Sequence, residues 1–226
     1  MPKIWHISDT HGLHDKLIIP DADIVIHSGD ASNWLVPTQN LPELKQFLSW
    51  FAALPIKHKI FVPGNHDTSL ERGLISREEI KEQGITLLID EETEIEGIHI
   101  VGSPWTPRYG NWAWMTDRAT INRKWQRLPD ACDILITHGP GKGILDATYS
   151  HSNKVELVGD SALMKRIVQI NPKFHLFGHI HSVDDIRNTG TRQVYGMRTV
   201  FSNGSCCDDG FHPMPTSSGN IIQYSS

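Results

Sequence analysis

Residues 60–66 read Ile-Phe-Val-Pro-Gly-Asn-His, an apolar run that ends at a proline and a glycine and is followed by two polar side chains. A similar order recurs at 24–30, which read Ile-Val-Ile-His-Ser-Gly-Asp. Short apolar runs bounded by turn residues are typical of buried strands, and ligands of open α/β sheets bind at the carboxyl ends of the strands. The repeated pattern therefore predicts strands that deliver polar side chains to one edge of a sheet.

Six apolar runs predict the buried strands: 4–7, 24–26, 60–62, 98–101, 134–136 and 174–177. Helical or loop segments separate them, and this alternation is typical of α/β layering. Residues 94–98 and 194–202 are typical of hairpins, so we expect antiparallel members in the sheet. Residues 221–224 predict a short final strand. We expect an α/β fold that forms a single domain over residues 1–226.

Three segments predict helices, at 41–54, at 76–83 and up to residue 170. In the first, four apolar residues follow the helical spacing and Pro42 suits the first turn. The second opens with a capping-box pattern at Ser76 and stops at Gly84, which suits a C-terminal cap. Either Asp160 or Ser161 can cap the third. The biased stretch 104–115 contains three tryptophans among prolines and glycines, and it predicts an aromatic loop.

The composition restricts the class of protein. The 226 residues include 21 basic and 26 acidic side chains, a net charge of −5, so dedicated nucleic-acid binding is not expected. The sequence has no apolar run of membrane-spanning length, and residues 4–7 are too few for the core of a signal peptide, so we expect a cytoplasmic protein. Three cysteines, an odd number, favour reduced thiols over a disulfide framework.

Polar side chains that can bind a metal follow five of the apolar runs. They are Asp9, His11, Asp30, Asn65, His66, His138, His179 and His181. Carboxylate, amide and imidazole ligands without a thiolate suit Mn, Fe, Zn, Co or Ni. One ion cannot use so many ligands, whereas two ions can if one carboxylate bridges them, an arrangement that serves displacement at phosphorus.

Five blocks of sequence carry a resemblance to a known family: Asp9-Thr10-His11, Gly29-Asp30, Gly64-Asn65-His66-Asp67, Thr137-His138 and Gly178-His179-Ile180-His181. In this order the blocks resemble the signature of the calcineurin-like metallophosphoesterases. The chain is similar to the brain-type metallophosphodiesterase-domain branch and its microbial and viral relatives, through segments such as Ser103-Pro104-Trp105 and Ser202-Asn203-Gly204-Ser205-Cys206. The resemblance implies a metallophosphoesterase-type β-sandwich of mixed sheets flanked by helices.

The resemblance also implies a role for each site residue. One metal would be held by Asp9, His11 and His181, and the other by Asn65, His138 and His179. Asp30 would bridge the two ions. His66 would be free of metal, would contact the substrate phosphate together with Asn65, and would protonate the leaving oxygen. Asp67 follows His66 in the motif and could orient it.

The function implied is that of a metal-dependent phosphodiesterase, with two divalent ions, Mn²⁺ first among them, acting on small phosphodiesters such as cyclic nucleotides. Three alternatives stay open: a nuclease, a nucleotide or phosphomonoester phosphatase at the same site, and a low-turnover regulatory or scaffold protein. Phosphoprotein phosphatases of the superfamily have an arginine after the second block, where this chain has Ala31-Ser32-Asn33-Trp34. The segment after His181 also departs from the branch pattern.

The remaining histidines and the aromatic loop have simpler interpretations. Histidines within strand runs are expected to be packed or to support the site: His6, His27, His99 and His175. Those in loops and near chain turns are expected at the surface: His58, His151 and His212. The tryptophans of residues 104–115 are expected to pack against the core or the rim of the site, and one at the rim could stack on a base.

Overall fold

The apolar runs form the inner strands of two sheets in the computed structural model, which describes residues 1–210, 212 and 218–224. The strands are β1 (Lys3–Ile7), β2 (Ile24–His27), β3 (His58–Phe61), β4 (Thr86–Leu87), β5 (Glu91–Ile95), β6 (Ile98–Ser103), β7 (Thr106–Pro107), β8 (Met115–Thr116), β9 (Ile134–Thr137), β10 (Ala147–Tyr149), β11 (Val155–Leu157), β12 (Phe174–Phe177), β13 (Gly190–Gln193), β14 (Val200–Asn203) and β15 (Asn220–Gln223). The helices are α1 (Pro37–Ala53), α2 (Thr68–Glu71), α3 (Arg77–Glu82), α4 (Arg118–Trp125) and α5 (Ser161–Ile170). All six predicted buried strands are confirmed.

Both large sheets are mixed. The first has five strands in the order β15-β1-β2-β3-β4, in which β1 to β4 are parallel and β15 runs antiparallel to β1. The second has six strands in the order β13-β14-β12-β9-β6-β5. Its four inner strands are parallel, and its two edge strands, β13 and β5, are antiparallel to their neighbours. The carboxyl ends of the inner strands therefore share one direction within each sheet.

Successive residues of each inner strand face opposite layers, as the strand period of two requires. Ile60 lies in the apolar layer between the two sheets, together with Ile100 and Ile136 of the second sheet. The next residue, Phe61, packs against α1 on the outer face of the first sheet. On the outer face of the second sheet, Leu135 packs with residues of α4 and α5. Two mixed sheets flanked by helices confirm the predicted α/β sandwich.

Helix α1 begins earlier than predicted. Its first residue is Pro37, preceded by Val36 in an extended conformation, so the first-turn position belongs to Pro37. Pro42 was expected there and instead lies inside the helix, where it has no N–H to donate to the carbonyl four residues earlier. Packing compensates for this loss, because Leu44, Phe47, Leu48 and Phe51 of the same helix are buried against the sheet.

The caps of the other two predicted helices are confirmed. The Ser76 side chain accepts a hydrogen bond from the Glu79 N–H, and the Glu79 carboxylate accepts one from the Ser76 N–H, which completes the capping box. Gly84 follows with φ +77°, a conformation that glycine adopts without strain. At α5 the cap is Asp160, whose carboxylate accepts from the Leu163 N–H.

One of the two predicted hairpins is confirmed, and the other lies at different residues. Strands β5 and β6 pair through a turn at Glu96-Gly97, as expected for residues 94–98. The second hairpin was placed at 194–202, but its first strand is β13 at Gly190–Gln193 and residues 194–199 form the connection to β14. This strand is polar and mostly exposed, so it has no apolar alternation to reveal it. The final strand, β15, is confirmed and pairs with β1.

Helix α4 was not predicted. It follows the aromatic loop, which itself carries the two short strands β7 and β8. Only Ile121 and Trp125 of α4 are buried, and this single spacing of four residues is too short a pattern to identify a helix from sequence. The three cysteines are free and buried. Among the described helices, none combines the length and the apolar character needed to cross a bilayer.

Candidate metal centre

The predicted site residues meet where the carboxyl ends of the two sheets come together. Three sets of side chains each bring their ligand atoms within 4.8 Å of one another: Asp9, His11 and His181; His11, Asp30 and His66; Asp30, His138 and His179. Asn65 belongs to the same cluster, because its Oδ1 lies 2.9 Å from His138 Nε2. His11 and Asp30 each occur in two of the sets, so the seven side chains of the three sets form one continuous group. Asn65 is the eighth member of this cluster.

The backbone at four of these residues is held in the left-handed region: Asp9 (φ 51°), His11 (φ 43°), Asp30 (φ 58°) and His179 (φ 70°). Residues other than glycine adopt this conformation at a cost of about 1–3 kcal/mol, and such positions cluster at functional sites. The hydrogen bonds from the Asp9 N–H to the Gly29 carbonyl and from the His11 N–H to the Asp30 carbonyl hold the first two loops together.

The glycines of the motifs serve two different purposes. Gly29 has φ +114°, so it permits the turn that aims Asp30. Gly64 and Gly178 matter for space instead. A Cβ on Gly64 would overlap the Asp30 carboxylate, and a Cβ on Gly178 would overlap the carboxylate of Asp9. Both carboxylates therefore approach the backbone of a neighbouring loop more closely than any other residue would allow.

Three histidines of the cluster share one orientation. The Nδ1–H of His66 donates to the Asn33 carbonyl at 3.0 Å, that of His138 to the Ser28 carbonyl at 2.9 Å and that of His181 to the Asp208 carbonyl at 3.0 Å. A carbonyl can only accept, so Nδ1 carries the proton and Nε2 faces the cluster. Metal-binding histidines typically fix their second ring nitrogen in this way.

The two carboxylates are buried and surrounded by these rings. Asp9 Oδ1 lies 3.2 Å from His181 Nε2, while both Asp9 oxygens accept from the His179 N–H and Oδ2 also accepts from the Ser205 hydroxyl. Asp30 Oδ1 accepts from the His66 N–H at 2.7 Å. Its Oδ2 lies 3.3 Å from His138 Nε2 and 3.9 Å from His66 Nε2. Asp30 thus occupies the position between two sets that a bridging ligand requires.

Electrostatics within the cluster favour charged carboxylates. Burial alone would raise the pKa of Asp30, but the charge of His138 and of other rings holds it below its usual range. Burial lowers the pKa of His138, yet the Asp30 carboxylate outweighs it and raises the pKa to about 9. Burial followed by the His138 charge lowers the pKa of His179 to about 3, so that ring is neutral.

This arrangement fits divalent cations. The ion-pair partners of the buried carboxylates are imidazoles, His181 for Asp9 and His66 and His138 for Asp30. Buried carboxylates need compensating positive charge, and a set of inward-facing Nε2 atoms and carboxylate oxygens supplies the mixed ligands that first-row metals and zinc accept. The division of these residues between two ions, and the freedom of His66 from metal, remain predictions. His66 itself lies within the set that contains His11 and Asp30.

The motif suggested that Asp67 orients the His66 ring, but the Asp67 side chain makes other contacts. Its carboxylate is buried and accepts hydrogen bonds from the backbone N–H groups of Asp30, Ala31, Ser32 and Gly64. Burial, followed by the negative charge of Asp30, raises the pKa of Asp67 to about 6. Asp67 therefore joins the loops after β2 and β3, and the contact that orients the His66 ring is the Asn33 carbonyl. Side chain–backbone bonds of this kind leave no signature in a single sequence.

Two rings of the aromatic loop lie against the cluster. The Trp112 ring lies 4.4 Å from the His66 ring, and the Tyr109 ring lies 5.5 Å from that of His179. Trp114 is buried and Trp105 donates to Asp90, so both pack as the simpler interpretation expected. Tyr109 was not singled out from the sequence, since one tyrosine in an irregular loop has no pattern that marks it.

Most of the other histidines behave as expected. His6, His27 and His175 are buried and bonded to Ser or Thr hydroxyls, and burial lowers the pKa of each to about 3. His151 and His212 are exposed, whereas His58 is half-buried beside Glu96. His99 was expected to be packed, but it lies half-exposed, 3.0 Å from Glu92 on the edge strand β5, where its neighbours leave it open to solvent.

The comparison with protein families explains why these blocks occur together. The profile of the calcineurin-like phosphoesterases matches residues 2–183, a span that contains every residue of the cluster. The chain belongs to this family. Its members are metal-dependent phosphoric ester hydrolases that typically bind two divalent metals, so the chain is a metal-dependent phosphoesterase.

Individual relatives and a solved structure are also similar to this chain. The chain is 30% identical to human metallophosphoesterase domain-containing protein 1 over 92% of its own length and 67% of the human protein. It is 32% identical to a UPF0046 protein of Caenorhabditis elegans, over 89% of this chain and 74% of that protein. A solved structure at 17% identity aligns over 90% of both chains with a TM-score of 0.65, which shows a shared fold alone.

Proposed function

We propose that this phosphoesterase hydrolyses small phosphodiesters, with cyclic nucleotides as representative substrates and Mn²⁺ as the metal. The observation that carries the proposal is the border of the cluster. This border includes the uncharged rings of Trp112, beside His66, and Tyr109, beside His179. A diester carries one negative charge and two organic groups, whereas a monoester carries more charge and one organic group. An aromatic border suits the diester better.

The residues of the chain divide the work of hydrolysis. Bound divalent cations would polarise the phosphoryl oxygens and supply a water nucleophile at neutral pH. Asp9, His11, Asp30, Asn65, His138, His179 and His181 would hold them. His66 would deliver the proton to the departing oxygen from Nε2, while its Nδ1 stays bonded to the Asn33 carbonyl. This bond keeps the ring in one orientation, so the proton is presented on the side of the cluster.

Leaving-group and substrate comparisons test the proposal. Metal-stripped protein would be supplied in turn with Mn²⁺, Fe²⁺, Zn²⁺, Co²⁺ or Ni²⁺. Each form would be assayed with bis(p-nitrophenyl) phosphate and p-nitrophenyl phosphate, which release the same leaving group. We expect the diester to be hydrolysed faster, and 2′,3′- or 3′,5′-cyclic nucleotides faster than phosphoserine peptides, with Mn²⁺ the most active ion.

Each alternative predicts a different outcome. Faster hydrolysis of the monoester would favour a nucleotide or phosphomonoester phosphatase. Cleavage of single-stranded DNA or RNA at a higher rate than of cyclic nucleotides would favour a nuclease. No turnover of any ester with any ion, in protein that binds metal, would favour a regulatory or scaffold protein. A cytoplasmic location and a small-molecule partner remain predictions from the sequence.

A further inference from the structure

A cavity of about 310 Å³ adjoins the cluster. It shares the His179 side chain with the candidate metal ligands, and its other walls include Tyr109, Arg118, Pro140, Asp160 and Ile180. We refer to it as the Tyr109–Arg118 pocket. Its volume lies at the lower end of the range for small-molecule sites, so it can hold one organic group but not a folded peptide or a run of nucleotides.

One wall of the pocket is a flat aromatic surface. Tyr109 is 60% exposed, and its ring is 5.5 Å from the His179 ring at an interplanar angle of 37°. The Trp112 ring lies 6.2 Å from the Tyr109 ring. An exposed ring between a candidate metal ligand and an open cavity is placed to stack on a planar group that is attached to a bound phosphate.

Arg118 provides positive charge at the same cavity. It is the first residue of α4, and its Nη2 donates to the Val158 carbonyl at 3.3 Å. Its Nη1 lies 3.8 Å from Asp160 Oδ2. A guanidinium has five N–H donors, and the contacts within the described residues use only part of this capacity. Arg118 is therefore positioned by the protein and keeps donors for a ligand.

Asp160 forms the floor beneath Arg118 and is held by several hydrogen bonds. Asp160 is 4% exposed, and its Oδ1 accepts from the Trp125 indole at 3.0 Å and from the Leu163 N–H at 2.6 Å. The Asp160 N–H donates to the Pro140 carbonyl, which ties the cap of α5 to the loop after His138. Hydrogen bonds within the protein thus hold the floor of the pocket in place, a condition that reduces the entropic cost of binding.

We propose that the Tyr109–Arg118 pocket binds the planar heterocyclic substituent of the phosphodiester, a nucleobase in chemical class, which stacks on Tyr109 and accepts hydrogen bonds from Arg118. This inference rests on the proposed function. It assigns substrate selectivity to Tyr109 and Arg118, which lie outside the candidate ligand set. It also moves the stacking surface from the tryptophans of the aromatic loop to the tyrosine between them.

Two diesters with one leaving group test the inference. Thymidine 5′-(p-nitrophenyl phosphate) and methyl p-nitrophenyl phosphate both release p-nitrophenol, but only the first has a base. With the Mn²⁺-loaded protein we expect the thymidine ester to have the lower KM. Tyr109→Ala and Arg118→Ala should each raise that KM about tenfold and change the KM of the methyl ester less than about twofold.

Matched variants control for the substitutions. Arg123→Ala removes another exposed arginine of α4, and Tyr195→Ala removes an exposed ring that does not line the cavity. Both should leave the two KM values unchanged. Equal losses for both esters in Tyr109→Ala, or wild-type protein with no preference for the thymidine ester, would overturn the pocket assignment while the phosphodiesterase proposal stands.

Failure of the proposed function itself has a separate signature, because neither ester would then be hydrolysed. In that case calorimetric titration of the Mn²⁺-loaded protein with thymidine 5′-monophosphate decides the pocket assignment. Binding that weakens about tenfold in Tyr109→Ala and Arg118→Ala, but not in the two controls, would support it. Absent or unchanged binding would overturn it.

Discussion

Asn65 Oδ1 lies 2.9 Å from His138 Nε2, although 73 positions separate the two residues in the chain. Asn65 follows β3 of the five-stranded sheet, and His138 follows β9 of the six-stranded sheet. Their approach is therefore set by how the two sheets pack and not by any local segment. The candidate centre depends on the whole sandwich, and the variants below separate its parts.

Asp30 should affect both metal positions. Elemental analysis of the wild-type protein after Mn²⁺ reconstitution should approach two ions per chain. Asp30→Asn should lower the content well below this value, because its carboxylate lies between two sets of ligands. Asp21→Asn, at an exposed carboxylate, should keep the wild-type content. A wild-type content near zero would refute the dinuclear assignment.

Substitution of His66 separates metal binding from proton transfer. If His66 is a general acid, His66→Asn should keep both ions and slow hydrolysis of an ester with a poor leaving group by about 10²–10⁴-fold. Esters of p-nitrophenol should suffer less, since that leaving group needs no proton. His151→Asn, at an exposed position, is the control. Loss of metal in His66→Asn would make His66 a ligand, and equal losses for good and poor leaving groups would exclude the acid role.

Gly178 is expected to tolerate no side chain. In Gly178→Ala the new Cβ would overlap the Asp9 carboxylate and the Ser8 hydroxyl, so Asp9 must move and metal content should fall. Gly102→Ala is a matched variant, since its Cβ would meet Leu88 and Val62 in the core instead. Overpacking there should cost about 1–3 kcal/mol of stability. The metal content of folded Gly102→Ala should be unchanged, and a normal content in Gly178→Ala would contradict the prediction.

Because buried histidines stay neutral in the folded protein, we expect them to lower the free energy of unfolding in acid. Burial lowers the pKa of His175 from 6.5 to about 3. The Thr137 hydroxyl donates to the Gly139 carbonyl, so it accepts a hydrogen bond from the Nε2–H of His175. Below pH 6.5 His175 binds a proton in the unfolded chain but stays neutral in the folded protein. The contribution of His175 to the free energy of unfolding is therefore complete above pH 6.5 and falls toward pH 3, by up to about 1.4 kcal/mol per pH unit.

Urea unfolding of metal-free protein between pH 7 and pH 5 measures this slope. His175→Gln should make it shallower by up to about 1.4 kcal/mol per pH unit, because one proton fewer is taken up on unfolding. His151→Gln should keep the wild-type slope and controls for the substitution. An identical slope in His175→Gln and wild type would show that His175 is not the neutral buried ring that the structure indicates.

The sequence predicted what strong local patterns determine. Apolar runs that end in glycine and a polar residue identified the inner strands and the members of the cluster, because such runs are typical of buried strands. The capping box at Ser76 identified α3 with similar clarity. Predictions failed where the signal was weak, as in the polar strand β13 and in α4, which buries only Ile121 and Trp125.

Contacts that join remote backbone segments were beyond the sequence. The four backbone N–H groups that donate to Asp67 could not be inferred from its place beside His66. The position of Tyr109 against His179 also depends on the path of an irregular loop. Loop conformation follows from many weak interactions, whereas the strands follow from one strong one, the burial of apolar side chains.

The distribution of the cluster over two sheets also affects how the protein resists heat. Divalent cations held by Asp9, Asp30 and Asn65 after strands of the first sheet and by His138 and His179 after strands of the second would connect the two sheets. Binding to the native state alone raises stability by RT ln(1 + [L]/Kd), which is about 2.7 kcal/mol at a hundredfold excess over Kd. The melting temperature should therefore rise with free metal concentration and fall when a chelator removes the metal.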